Sequence, residues 1–184
     1  MSERSTLSRS IHDVSLAAWF GGSLMGVIGL NGGASTAKSP VERLTISSAG
    51  WAKWSPVQLA AMVAHAGASV AQLASNGGRL LEQPGARRNA VIKTGLTLVA
   101  AGASLYSGVL GSKQAKHAEE GAAATTTPSA SASAELKSAQ RQQKIMQWVT
   151  PAVTLVLIVL AAQQGEQQRQ SVDLLHRVKG VISR

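Results

Sequence analysis

Four histidines and no cysteine set the limits of the chemistry this chain can carry. Without a thiolate there is no disulfide framework, no cysteine nucleophile and no Cys-ligated zinc. That leaves the imidazoles of His12, His65, His117 and His176, whose ordinary roles are metal ligation and proton transfer. His12 stands at the start of one long apolar run and His65 midway along a second. If the two runs are antiparallel helices, the rings differ in depth by about 15 Å at 1.5 Å per residue. On that reading they share no metal ion, and a haem on His65 has no second ligand. His65 is expected to hydrogen-bond across to a neighbouring helix. Ser69 and Gln72 continue its face, so His65, Ser69 and Gln72 form a candidate polar pathway for a solute or a proton.

Acid–base and nucleophilic chemistry find little else. No carboxylate pair lies inside an apolar run, and Asp13 reads as a helix cap behind Ser10. GVLGSK at 108–113 resembles a phosphate loop only superficially, because Lys and Ser are reversed and no strand precedes it. None of the serines sits in a nucleophile elbow. The expectation is therefore a protein that is not an enzyme, with no metal and no cofactor.

The elements that position these residues are four apolar blocks. From Val14 to Leu30 no residue is charged. About 20 residues of helix cross a hydrocarbon core of roughly 30 Å, so this block reads as a first membrane span, stopped by Asn31, Gly32 and Gly33. Ala18, Gly22 and Gly26 repeat every four residues and offer a surface for close helix packing. The second span reads as 55–75, with Ser55 as cap, Pro56 at the first helical position and a second small-residue row of Ala60, Ala64 and Ala68. It ends at Asn76, Gly77 and Gly78. The third span reads as 89–111, with Ala100, Ser104 and Gly108 as its row and Lys93 near its start. The fourth, 145–163, is the most hydrophobic and has no such row, which suits a peripheral helix. Pro151 is read as its first residue or a kink. Trp51, Trp54 and Trp148 are expected as interfacial anchors, since indole favours the water–lipid boundary.

Between the third and fourth spans the chain changes character. Residues 112–144 centre on a low-complexity Ala, Ser and Thr run with nothing to bury, which is expected to be disordered or loosely helical up to a polar helix from Glu135 to Gln147. The organisation is thus a three-helix membrane core over 1–111, a linker over 112–144, and a fourth helix with a basic tail over 145–184. The tail repeats Val172, Leu175, Val178 and Ile182 at helical spacing, as a surface helix does.

The net charge of +9 sits beside the apolar spans and not on an aromatic-interleaved face. That pattern favours anionic lipid head groups over nucleic acid. With Lys93 inside the third span left out, Lys and Arg divide nine against eight between the two sides, and both termini are assigned to the cytoplasm because the bare Ala/Ser/Thr loop is easier to place outside. Arg4 and Arg9 before the first run imitate a secretory signal, but the run is long and set with packing glycines, so a retained helix is expected.

The runs WFGGSLMGVIGLNG (19–32) and GWAKWSPVQ (50–58) resemble an actinobacterial family of small multi-pass membrane proteins. The resemblance covers residues 11–112. It implies a bacterial plasma membrane and transfers no functional residue. The fold class is all-α, a bundle of four transmembrane helices with a low-complexity loop between the third and fourth. The expected role is non-enzymatic packing, as a homo-oligomer or as an accessory subunit of a larger membrane assembly, because three small-residue rows exceed what three helices can use on each other.

Overall fold

The computed structural model of the chain describes the backbone of residues 3–75, 77 and 83–182, and side chains from residue 6 to residue 163 within those limits. Four long helical stretches dominate. The first comprises α1 (Glu3–Met25), a π-helical turn (Gly26–Leu30) and α2 (Asn31–Ser35) without interruption. Then come α3 (Pro40–Ser75), α4 (Pro84–Lys116) and α5 (Ala134–Ile182). Each stretch contains a segment long and apolar enough to cross a membrane. The α1–α2 stretch packs against α3 and α5, and α4 packs against the same two, so the helices form a four-membered up-and-down ring.

The helices are longer than their apolar blocks. The first begins at Glu3, so Ser10 and Asp13 are interior helical residues and not a cap. Asn31, Gly32 and Gly33 do not stop it; the π turn is absorbed and the helix ends at Thr36, whose hydroxyl donates to the Gly33 carbonyl at 2.7 Å. α3 begins at Pro40, fifteen residues before Ser55, and carries Pro56 in its interior. Proline has no N–H to donate there. Beside it, Ser55 Oγ donates to the Trp51 carbonyl. α5 likewise begins at Ala134 and carries Pro151 buried within it. Stretches of 30 to 36 residues span about 45–54 Å, so the bundle exceeds a hydrocarbon core of roughly 30 Å by about 15–24 Å.

Residues 112–144 are ordered, against expectation. α4 runs on to Lys116, a 3-10 turn follows (Ala118–Glu120), and β1 (Ala122–Ala124) pairs antiparallel with β2 (Thr127–Pro128). Gly121 adopts φ +70°, open to glycine at no steric cost, and turns the chain over Pro40. Alanine proved sufficient to bury: Ala122, Ala132 and Leu136 pack on Leu44 in a second small core. Arg43 binds the assembly together, donating to the carbonyls of Ala37, Ala122 and Ala123.

The small-residue rows are only partly turned inward. Of Ala60, Ala64 and Ala68 the first is exposed, the second half-buried and the third buried. Of Ala100, Ser104 and Gly108 the third is exposed. A four-residue step advances about 400° around a helix, so such a row drifts about 40° per step. The inward lines follow alternating steps of three and four instead, as in coiled-coil packing. On α3 the line is Leu44, Ser47, Trp51, Trp54, Gln58, Ala61, His65, Ala68 and Gln72, each buried or half-buried. The corresponding line on α5 runs Gln140, Gln143, Gln147, Thr150, Thr154 and Leu157, so this helix faces the interior as fully as the others and is not peripheral. The stop at Asn76, Gly77 and Gly78 and the side chains of the 164–184 tail, with His176, fall largely outside the described residues.

Candidate functional site

The interior of the bundle holds the polar groups and its outside the large apolar ones. His12, Ser23, Asn31, His65, Ser104, Gln143, Thr150 and Thr154 are buried, while Val14, Val63, Val70, Leu98 and Leu105 are more than half exposed. A water-soluble bundle arranges these the other way round. Three layers follow one another along the axis.

The first layer is a histidine pair. His12 and His65 lie against each other with ring centroids 4.4 Å apart and planes tilted by 42°. The expected difference in depth is wrong, because α1 starts well before the apolar run. His12 lies about as far from Glu3 as His65 lies from Ser75, and antiparallel packing brings the two level. Asp13 can only accept, so His12 Nδ1 donates to it, at 2.8 Å. His65 Nδ1 donates to the His12 carbonyl at 3.4 Å, and in the neutral ring its Nε2 then accepts from Thr97 Oγ1 at 3.4 Å. The partner of His65 on α4 is therefore a threonine. Lys93 lies within electrostatic reach of both rings and Arg9 of His12. Ser69 Oγ donates back to the His65 carbonyl and Gln72 Nε2 to the Ser8 carbonyl, so the stripe continues the layer toward the α1 N-terminus. Among the described residues no three metal-ligating side chains converge.

The second layer is a plug. Leu16, Trp19, Ala61, Ala100 and Leu157 form the main apolar core. The Trp19 ring lies edge-on to His65 with centroids 6.0 Å apart. Its Nε1 donates to Ser104 Oγ at 3.0 Å, and Ser104 Oγ lies 3.2 Å from Thr150 Oγ1.

Ser104 and Thr150 also floor the third layer, a cavity of about 200 Å³ bounded by all four helices. Its lining is Ser, Thr, Asn and Gln with a few apolar residues, and no charged side chain takes part. Asn31 braces one wall: its Oδ1 accepts from Ser47 Oγ at 2.8 Å and Trp51 Nε1 at 2.9 Å, while its Nδ2 donates to Gln147. The hairpin closes the far end. Thr125 is buried there, its N–H donating to Ser35 Oγ and its hydroxyl to the Asn31 carbonyl, while Gln140 Nε2 donates to the Thr125 carbonyl at 3.1 Å. At the base of the hairpin His117 Nδ1 donates to Glu120 at 2.7 Å, and its Nε2 lies 3.3 Å from Glu135. The N–H and hydroxyl of Ser133, with His117, hold the Glu120 carboxyl below the usual carboxylate range.

Trp51 and Trp54 belong to a seam and not to a helix start. Their indoles cover Gly26 and Gly22, so that a Cβ at either glycine would enter the ring. The row of Ala18, Gly22 and Gly26 thus receives two indoles and not a neighbouring backbone. Trp54 Nε1 donates to Gln58. Trp148 is half-exposed on α5.

Sequence reasoning missed the cavity residues Ser23, Ser107 and Gln143, and treated Asn31 as a terminator. The available signal was the 3–4 line of polar residues from Gln140 to Thr154. No family model, curated protein or solved structure matches the chain.

Proposed function

We propose that this is a non-enzymatic integral membrane protein whose bundle provides a polar pathway, closed at rest by Trp19. One observation carries the reading: two polar compartments, the histidine pair and the cavity, approach each other from opposite ends and are separated by one side-chain layer. Trp19 touches both, bonding the cavity floor through its N–H and lying against His65 with its ring. Buried polar groups in a membrane are costly and are kept where they serve a path or a ligand. The pathway includes His65, Ser69 and Gln72, extended by His12 and Thr97 on one side and by the cavity on the other. In this reading the protein resides in a bacterial plasma membrane with both termini cytoplasmic, and its basic segments contact anionic lipids.

The test is osmotic shrinkage of proteoliposomes. Vesicles with the wild-type protein, plugged by Trp19, are expected to pass water about as slowly as empty ones, and Trp19→Ala to raise the rate several-fold by removing the plug. Equal rates for empty, wild-type and Trp19→Ala vesicles overturn the reading.

A second reading, as a homo-oligomer or accessory subunit, is favoured by the outward glycines Gly67, Gly95 and Gly102, around which an added Cβ would meet nothing within 4 Å. Those positions admit a close helix from a partner. Cross-linking in native membranes checks it; a monomer at every concentration excludes the homo-oligomer.

A further inference from the structure

The cavity lining is of two kinds. One part is apolar: Leu44, the Trp51 indole, Ala52, Ala115 and the Cα methylenes of Gly108 and Gly111. The other part presents hydroxyls and amides, and three of its atoms have no partner in the protein: Ser23 Oγ, Ser107 Oγ and Gln143 Oε1. Ser23 and Gln143 are at least nine-tenths buried. Orphaned buried polar atoms cost stability unless something meets them.

The lining decides what meets them. A charged ligand would lose its hydration with no counter-charge to replace it. Water would satisfy the three atoms but leave the apolar part against a polar liquid. A molecule with C–H on one face and hydroxyls on the other satisfies both, the usual composition of a small-molecule pocket. At about 30 Å³ per water the cavity takes roughly six to seven waters, or one solute with a similar number of heavy atoms. Exposed Ala52 and Ser55 on α3 and exposed Gly108 and Ser112 on α4 belong to the lining, so the mouth opens sideways between these two helices.

We propose that the cavity is a binding site for a small uncharged polyol, with vicinal hydroxyls meeting Ser23, Ser107 and Gln143. The polyol is either a free molecule of glycerol size or the glycerol head of a neutral lipid reaching in between α3 and α4. The inference rests on the reading of the interior as the functional part of the bundle. It assigns that interior a ligand class.

The experiment is saturation-transfer NMR on the full chain in a zwitterionic detergent free of hydroxyl groups. The probes are glycerol, a short-chain monoacylglycerol, acetate and methylammonium. At least one of the first two should bind, and the charged pair should not. Binding of glycerol alone identifies a soluble source, and binding of the acylglycerol alone a lipid source. The triple variant Ser23→Ala/Ser107→Ala/Gln143→Met should weaken binding about tenfold or more with helix content unchanged, since the atoms removed have no protein partner. If that variant does not fold, Gly111→Val fills the cavity from a position where an added Cβ meets nothing within 4 Å, and it should abolish binding. Failure of both polyols, binding of the charged probes as strong as that of the polyols, or undiminished binding in the folded variant overturns the proposal. Polyol binding without water flux through Trp19→Ala refutes the pathway alone, and that flux without polyol binding refutes this site alone.

Discussion

Helix α3 has two seams built from similarly small residues, and they behave oppositely. Toward α1 the notches at Gly22 and Gly26 are filled by Trp54 and Trp51, and Leu30 fills the reciprocal notch at Gly50. Toward α4, Gly108 and Gly111 face nothing, and the space beside them is the cavity. A glycine row therefore does not itself specify close packing. It specifies a vacancy, and a large side chain aimed into the vacancy makes it a contact. Where no such chain is aimed, the vacancy stays open and the polar residues around it turn inward.

The largest expected effect breaks the dry seam. Gly22→Leu or Gly26→Leu drives a side chain into an indole, and overpacking of this kind costs about 1–3 kcal/mol or more. Gly108→Leu should leave the melting temperature in detergent nearly unchanged. Adding Trp54→Ala to Gly22→Leu should recover part of the loss, because the clash is pairwise. Equal melting of Gly22→Leu and Gly108→Leu would erase the difference between the seams.

Next is Asn31, which joins the seam to the cavity wall. Asn31→Leu strands Ser47, Trp51 and Gln147, and an unsatisfied buried group costs about 1–3 kcal/mol. The check is the melting temperature with Trp fluorescence, which should report loosened packing around Trp51. An unchanged emission maximum and melting point would show that water replaces the amide freely.

A smaller effect belongs to the closed end of the cavity. Arg43→Met removes its charge-assisted bonds to four carbonyls, those of Ala37, Lys38, Ala122 and Ala123, and should cost about 1–2 kcal/mol, felt at the hairpin and at the turn before α3. Hydrogen exchange should rise over 122–128 and stay unchanged in α1. Uniform acceleration throughout would mean that hairpin and bundle unfold as one.

The smallest is a pH effect on that hairpin. The Ser133 bonds and His117 hold the Glu120 carboxyl low in the folded state. Its contribution is therefore complete above the ordinary carboxylate range and is lost as pH falls through the lowered value. The protection of the hairpin amides, that is, their exchange relative to the intrinsic rate at each pH, should fall in acid, and Glu120→Gln should remove that pH dependence. An identical acid response in the variant would assign the effect to another group.

The four spans were legible because charge-free runs of membrane length are a one-dimensional property. The expectations that failed needed knowledge of the neighbours. Asn31 reads as a stop because asparagine tolerates helix ends, but Ser47, Trp51 and Gln147 give its amide a better use within the helix. His12 and His65 were separated by counting from the apolar boundaries, and the helices ignore those boundaries. Residues 112–144 appeared to have nothing to bury, yet Leu44 and Arg43 from α3 supply what the alanines pack on and what their carbonyls accept from.

The sequence by itself determined the number of helices, their apolar exterior and the residue types available to the interior, since hydropathy and periodicity depend only on order along the chain. The tertiary structure decided the rest: which glycines are filled, that two distant histidines touch, that Trp19 divides the interior, and that Ser23, Ser107 and Gln143 surround one cavity. Those are facts of register between helices. Register depends on where each helix truly begins, how far the α3 indoles reach and how the hairpin seats, and each of these is set by contacts between residues distant in the chain.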